Sequence, residues 1–263
     1  MFSYFTAIIV LIFLGYAVLY PLLLWITPLN KIDSGFYRFN MGLCCIIGAL
    51  GIIGFHFISK NFESEIYLWI WLLLMLSVTA INWNSETINN YIISVISVLG
   101  CIVLAQILTN ILPSLDVTSA LIVILMNSMI TASVFFSMIL GHWYLNVVSL
   151  PIRLFKHSII VLSFFLSIRI IWHGIYFFMT NYIDNYGINY NLWSFIFQFD
   201  GFLLGIAFLI GNVFPIILNL LIWRTLKLQA TQSATGLVYV SVVSILFSDL
   251  ILKYYLLEYG FII

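Results

Sequence analysis

Five ionisable residues lie inside long apolar stretches of this sequence, where charged groups are rare. Arg169 and His173 are four residues apart in one stretch, Asp249 and Lys253 are four apart in another, and Asp200 lies near the start of a third. Hydrocarbon cannot replace the water that such groups lose, so they usually serve a function. Because residues four apart share one helix face, we predict that these five side chains converge at one depth near the outer membrane face.

Such a cluster permits three kinds of function. A carboxylate or histidine can accept a proton from a quinol hydroxyl while Arg169 keeps a neighbouring carboxylate ionised. The same charges can couple proton or ion movement to the transport of a small solute. They can also pair with one another and hold helices together without any chemistry. We expect the quinone or proton-handling function, and the transport and structural alternatives stay open.

The four histidines raise the question of haem. His56 and His173 are predicted near the outer face, and His142 and His157 near the inner face, which is the division that two b-type haems require. His157 and His173 share one predicted helix but lie sixteen residues apart, so they point about 160° away from each other. Haem b is therefore an alternative cofactor to quinone, with these four side chains as its candidate ligands.

The composition assigns the chain to the membrane. Hydrophobic residues make up 64% of it and charged residues only 7%, which lies far outside the range of soluble domains. We expect one integral membrane domain over residues 1–263 that contacts lipid and other subunits and binds no nucleic acid. The first apolar stretch lacks a basic flank and a cleavage site, so it is predicted to be a retained span.

No catalytic or metal-binding motif occurs in the sequence. The three cysteines lack the spacing of a metal or redox site, and no phosphate loop or metalloprotease helix is present. We therefore expect neither a catalytic residue nor a metal ligand. The chain is at most a non-catalytic or quinone-reactive subunit of an oxidoreductase complex.

Hydropathy and length predict an all-α bundle of eight membrane spans. The spans are expected at about 5–26, 36–59, 66–83, 91–112, 117–146, 154–178, 193–223 and 234–257. Pro21 should kink or end the first span, because proline removes a backbone donor. Four glycines in the second span should admit a neighbouring helix closely, namely Gly42, Gly48, Gly51 and Gly54.

Basic residues predict the orientation. Six of the nine fall on one side of an eight-span bundle, namely Lys31, Arg38, Arg153, Lys156, Arg224 and Lys227. The opposite loops contain Lys60 alone. Since positively charged loops stay in the cytoplasm, both termini should face outward, toward the periplasm if the membrane is a bacterial inner membrane.

Taken together, these features resemble a family of membrane anchors. Eight spans, outward termini, little mass outside the membrane and a polar cluster near the outer face are similar to the NrfD-type anchors of polysulfide, nitrite and dimethyl sulfoxide reductases. The resemblance covers most of the chain and rests on topology. It implies a respiratory electron-transport subunit that binds quinone without haem and passes electrons to an iron–sulfur partner at the outer face.

Overall fold

Eight long apolar helices make up most of the part of the chain that the structure describes. The structure is a computed structural model that describes residues 4–28, 32–59, 62–85, 89–113, 115–147, 150–183 and 187–263. The first six helices are α1 Phe5–Leu19 with a 3₁₀ extension Tyr20–Ile26, α2 Ser34–His56, α3 Phe62–Ile81, α4 Asn90–Ile111, α5 Val117–Asn146 and α6 Arg153–Met179. The predicted all-α class and the count of eight spans are confirmed.

The last third of the chain is less regular. Two short strands, β1 Asn181–Ile183 and β2 Asn189–Asn191, form an antiparallel hairpin, and the short helix α7 Leu192–Phe195 follows. The seventh span consists of α8 Phe202–Phe208, a π-helical segment Leu209–Val213 and α9 Phe214–Lys227. The eighth is α10 Thr231–Tyr259. The hairpin was not predicted, because each of its strands has only three residues.

The two ends of the bundle differ in charge. We call one the basic end, because it carries Arg38, Arg153, Lys156, Arg224 and Lys227 at the termini of α2, α6 and α9. The other is the hairpin end, with the strands and α7. Lys31 and Lys60, which also entered the predicted orientation, lie outside the described residues. We expect the hairpin end to face outward.

Helix α1 lies at the centre of the bundle. It is the most buried of the eight spans and packs against α2, α4, α5 and α10. A methyl group added at Gly51 would lie 2.8 Å from Leu14, and one at Gly54 would lie 2.9 Å from Val10. These glycines therefore let α2 approach α1 closely, as predicted, whereas Gly42 faces open space. The 3₁₀ extension begins at Tyr20, next to the predicted break at Pro21.

Helix α5 supplies a polar stripe to the interior. Five hydroxyl and amide residues form this stripe, and each is at most 2% exposed, namely Asn127, Ser128, Thr131, Ser133 and Ser137. The helix packs against α1, α6 and α10. This helix therefore faces protein, and its stripe places Asn127 and Thr131 beside the charged residues of α6 and α10.

A second, smaller core closes the hairpin end. It consists of Phe177, Leu192, Phe195, Leu204, Ala207, Ile251, Leu252, Tyr255, Phe261 and Ile263. A methyl group at Gly201 would lie 1.9 Å from the carbonyl oxygen of Phe195, so only glycine fits where α7 folds back on the start of α8. This turn delays the seventh span from the predicted residue 193 to Phe202.

Candidate functional site

Arg169 is the centre of a buried polar cluster. Its side chain is fully buried in α6, and its guanidinium donates to three oxygens of other helices. Nε donates to Asn212 Oδ1 at 2.6 Å, Nη2 to the Gly211 carbonyl at 2.5 Å and Nη1 to Asn127 Oδ1 at 3.5 Å. Amide and carbonyl oxygens thus take the place of the water that Arg169 loses.

Pro215, which follows the π segment, explains why the Gly211 carbonyl is free to accept from Arg169. Pro215 has no N–H, so it cannot donate to Gly211, four residues earlier, or to Ile210, five residues earlier. Arg169 instead donates to the Gly211 carbonyl oxygen, and the Ser244 hydroxyl of α10 donates to the Ile210 carbonyl oxygen. The irregular backbone is therefore satisfied by side chains of two neighbouring helices, as buried backbone in a membrane requires.

Asp249 and Lys253 form a buried ion pair on α10. The ammonium of Lys253 donates to Asp249 Oδ1, and both side chains are at most 1% exposed. Thr131 of α5 donates to Asp249 Oδ2 at 3.2 Å. Asp249 is also close enough to Arg169 for an electrostatic interaction. Among the described residues, the cluster thus combines two cations with one carboxylate and joins α5, α6, α10 and the π segment of the seventh span.

His173 lies at the edge of this cluster and has a defined tautomer. Because arginine only donates, its bond to Asn212 Oδ1 directs the Asn212 amide nitrogen toward His173 Nδ1, 3.1 Å away. Nδ1 therefore accepts, and a neutral imidazole carries its proton on Nε2. That Nε2 is buried and has no hydrogen-bond partner in the described part of the chain. His173 is thus an available donor inside the membrane.

An aromatic groove lies next to His173. The imidazole packs against Phe208, with 5.9 Å between ring centroids. Phe208 also lines a lipid-facing groove of about 470 Å³ beside α7 and α8. The other lining residues are Trp193, Ile196, Phe197, Phe202, Gly205, Ile206 and Leu209. The Phe208 ring is therefore shared by the imidazole and the groove.

Asp200 differs from the sequence-based expectation. It lies in the turn before α8 and its residue is exposed, so its carboxylate does not belong to the buried cluster. Its backbone carbonyl accepts from the Tyr255 hydroxyl. Tyr255 is six residues beyond Asp249, about 9 Å along α10, which puts Asp200 nearer the membrane surface. The turn at Gly201 is the physical reason.

The remaining histidines lie apart from the cluster. His56, with a side chain 68% exposed, pairs with Glu65 at 2.8 Å. His142 is exposed near the end of α5, and His157 accepts from Arg153 Nε at 3.4 Å. In the described residues no two histidine rings contact each other, and no group of three or more histidine, cysteine or acidic side chains is placed to hold a metal.

Sequence reasoning found the ionisable members of the cluster and missed an amide that links two of them. Arg169, His173, Asp249 and Lys253 were predicted, whereas Asn212 was not. Pro215, three residues after Asn212, could have indicated this position, because a proline deep within a span leaves backbone oxygens without their usual donors.

No family model, curated protein or solved structure matches this chain. The functional argument therefore rests on the geometry of the site.

Proposed function

We propose that the chain is a quinone- or quinol-binding subunit of a membrane redox complex, with its site in the groove beside Phe208. The observation that carries this proposal is the buried, unpartnered Nε2–H of His173 next to that groove. A quinone ring is flat and apolar and carries oxygens that accept hydrogen bonds. The aromatic walls suit the ring, and the imidazole, which lies behind the Phe208 ring, supplies the donor once that ring turns aside.

The ion cluster acts as a support for that donor. Arg169 orients Asn212, and Asn212 fixes the tautomer and the position of His173. Asp249, which accepts from Lys253 and Thr131, supplies the carboxylate of the cluster and interacts with the guanidinium. These side chains are largely consumed by their mutual bonds, so we assign them a positioning role and assign ligand contact to His173.

The groove also suits an isoprenoid tail. It opens toward lipid, and the rings of Trp193, Phe197 and Phe202 are 45%, 75% and 61% exposed. A bound quinol supplies two electrons and two protons when it is oxidised. We expect a partner subunit to take the electrons, as the resemblance to NrfD-type anchors implies, and the site to lie near the periplasmic face of a bacterial inner membrane.

Binding of a short-chain quinone to the purified protein in nanodiscs tests the proposal. Quenching of Trp193 reports occupancy, and Trp193→Phe shows how much of the signal comes from the groove. Ile206→Trp fills the groove and should abolish saturable quenching. His173→Leu removes one hydrogen bond, which corresponds to about a three- to tenfold weaker Kd.

A matched control lies at the other end of α6. His157→Leu removes an imidazole far from the groove and should leave the Kd unchanged. Wild-type affinity in both His173→Leu and Ile206→Trp, together with no quinone extracted from the protein in native membranes, would refute the proposal.

A further inference from the structure

Two phenyl rings enclose the His173 imidazole. Its centroid lies 5.8 Å from that of Phe177 and 5.9 Å from that of Phe208, and the two phenyl rings meet edge to face at 5.7 Å. His173 is 0% exposed, and its Nε2 is buried without a partner in the described part of the chain. A ligand therefore reaches this donor only after one of the two rings has moved.

Phe208 is the ring that has space beside it. Phe177 is buried within the second core at the hairpin end, whereas Phe208 is partly buried and packs against that core. Phe208 also lines the groove of about 470 Å³ that opens toward lipid. A packed interior resists the turning of a large side chain, and an open groove does not. Phe208 is thus the movable layer between His173 and the groove.

The backbone at Phe208 is held by two hydroxyl groups of α10. Ser248 donates to the Ala207 carbonyl at 2.9 Å, and Ser244 donates to the Ile210 carbonyl. Ala207 directly precedes Phe208, and Ile210 follows it two residues later. Because both flanking carbonyls are fixed to α10, Phe208 moves by rotation about its own side-chain torsions while α8 stays in place.

We propose that Phe208 is a gate, whose ring separates Nε2 of His173 from the groove at rest and admits a quinone oxygen to that donor by turning outward. This inference rests on the proposed function, since it concerns access to the same site. The closed ring is in contact with two other rings, so the open conformer is the minor one without ligand. An open population of about 10% or less weakens the apparent Kd by about tenfold or more.

A gate and a wall of the groove respond differently to truncation. An aromatic side chain that only lines a groove contributes contacts, so its removal weakens binding and leaves the association mechanism unchanged. Removal of a gate also abolishes the opening step, so association becomes faster. Phe202 is the matched wall residue, because it lines the same groove, is 61% exposed and has no ring contact with His173 within the described ranges.

Rapid mixing of the protein in nanodiscs with a short-chain quinone tests the gate through the quenching of Trp193. In the wild type the observed rate should rise with quinone concentration and level off at the rate of opening. In Phe208→Ala the rate should rise linearly and exceed the wild-type plateau by at least about tenfold. Phe202→Ala should keep the wild-type plateau and bind more weakly.

Fluorine NMR of 4-fluorophenylalanine at position 208 gives a second measurement, which needs neither a truncation nor a quinone. We expect two exchanging signals, of which only the weaker one is broadened by a spin label on the lipid chains. Added quinone should increase the weaker signal at the expense of the stronger one.

Three results would overturn the gate. They are a linear rate in the wild type, a plateau in Phe208→Ala equal to that of Phe202→Ala, and a single fluorine signal that neither spin-labelled lipid nor quinone alters. Absence of saturable quenching in both the wild type and Phe208→Ala refutes the proposed function instead. Two fluorine signals in that same preparation would still establish that the ring moves.

Discussion

The substitution Gly211→Ala tests the packing that creates the buried cluster. The added methyl group would lie 1.9 Å from Ser248 Oγ and 2.1 Å from Ser248 Cβ. Forcing an extra methyl group into a packed interior costs about 1–3 kcal/mol. Any shift that relieves the clash also moves the Gly211 carbonyl away from Arg169, and a hydrogen bond to a charged group contributes about 1.5–3 kcal/mol. We expect the free energy of unfolding to fall by about 4 kcal/mol in total.

A double mutant identifies the cause of that loss. Ser248→Gly alone removes the hydroxyl that donates to the Ala207 carbonyl at 2.9 Å and places a glycine in a helix, at a cost of about 1–2.5 kcal/mol. Because it also removes the clashing Cβ, the double mutant Gly211→Ala, Ser248→Gly should be hardly less stable than Ser248→Gly. Ser248→Ala keeps the Cβ at 2.1 Å and should not rescue Gly211→Ala.

The assay is unfolding of the purified protein in mixed micelles of increasing SDS fraction. Gly236→Ala is the matched control, since a methyl group there meets nothing within 4 Å and should leave stability unchanged or raise it by up to about 1 kcal/mol. Near-wild-type stability of Gly211→Ala, or equal rescue by Ser248→Ala and Ser248→Gly, would show that the seventh and eighth spans do not approach this closely.

Three further predictions concern other contacts. Asp249→Leu leaves the Lys253 ammonium buried without its carboxylate and should lower the free energy of unfolding by about 3–5 kcal/mol in the same assay. Adding Lys253→Met should restore much of that free energy. Gly51→Ala pushes α2 away from α1 and should cost about 1–3 kcal/mol. The side-chain and backbone hydrogen bonds from Ser119 hold the pKa of Asp116 below its ordinary value of 3.8. The pKa of Asp116 is lower in the folded protein than in the unfolded one, so the Asp116 cap of α5 is complete above pH 3.8 and is lost as pH falls through the folded pKa. Below that pKa, hydrogen exchange at the Ser119 amide should be faster relative to its intrinsic rate.

Each of these predictions has a control. Lys253→Met alone should be less damaging than Asp249→Leu, because Asp249 keeps its hydrogen bond from Thr131 and its interaction with Arg169, and the reverse order would contradict the assigned pair. Gly42→Ala meets open space and should be neutral. In Asp116→Ala the Ser119 amide should lack the pH-dependent protection, and unchanged protection would mean that the carboxylate does not cap α5.

Hydropathy was sufficient to predict most of the fold. The fifth span was predicted at its observed bounds, Val117–Asn146, because polar loops flank a continuous apolar run. The seventh was predicted nine residues too early, since four large apolar side chains in residues 193–201 extend the apolar run, namely Phe195, Ile196, Phe197 and Phe199. Hydropathy cannot show that the chain turns at Gly201, because that turn depends on the contact with Phe195.

The charged half of the site was predictable for a different reason. Ionisable groups in hydrocarbon need partners, so Arg169, Asp249 and Lys253 stand out in the sequence. Asn212 carries no charge, and its importance follows only from its position between two side chains of α6. Asp200 fulfils the same sequence criterion as Asp249 but lies in an exposed turn. Burial of a charge can thus be predicted only when the helix bounds are correct.

The π segment at Leu209–Val213 also sets the phase of the seventh span. It holds one residue more than α-helical geometry would, which rotates everything after it by about 100° relative to a regular helix. A helical wheel drawn across 202–227 would therefore assign the wrong faces to α9. Deleting a single residue from the segment should restore a regular helix, but it would rotate the residues of α9 by about 100° relative to the groove-lining residues of α8.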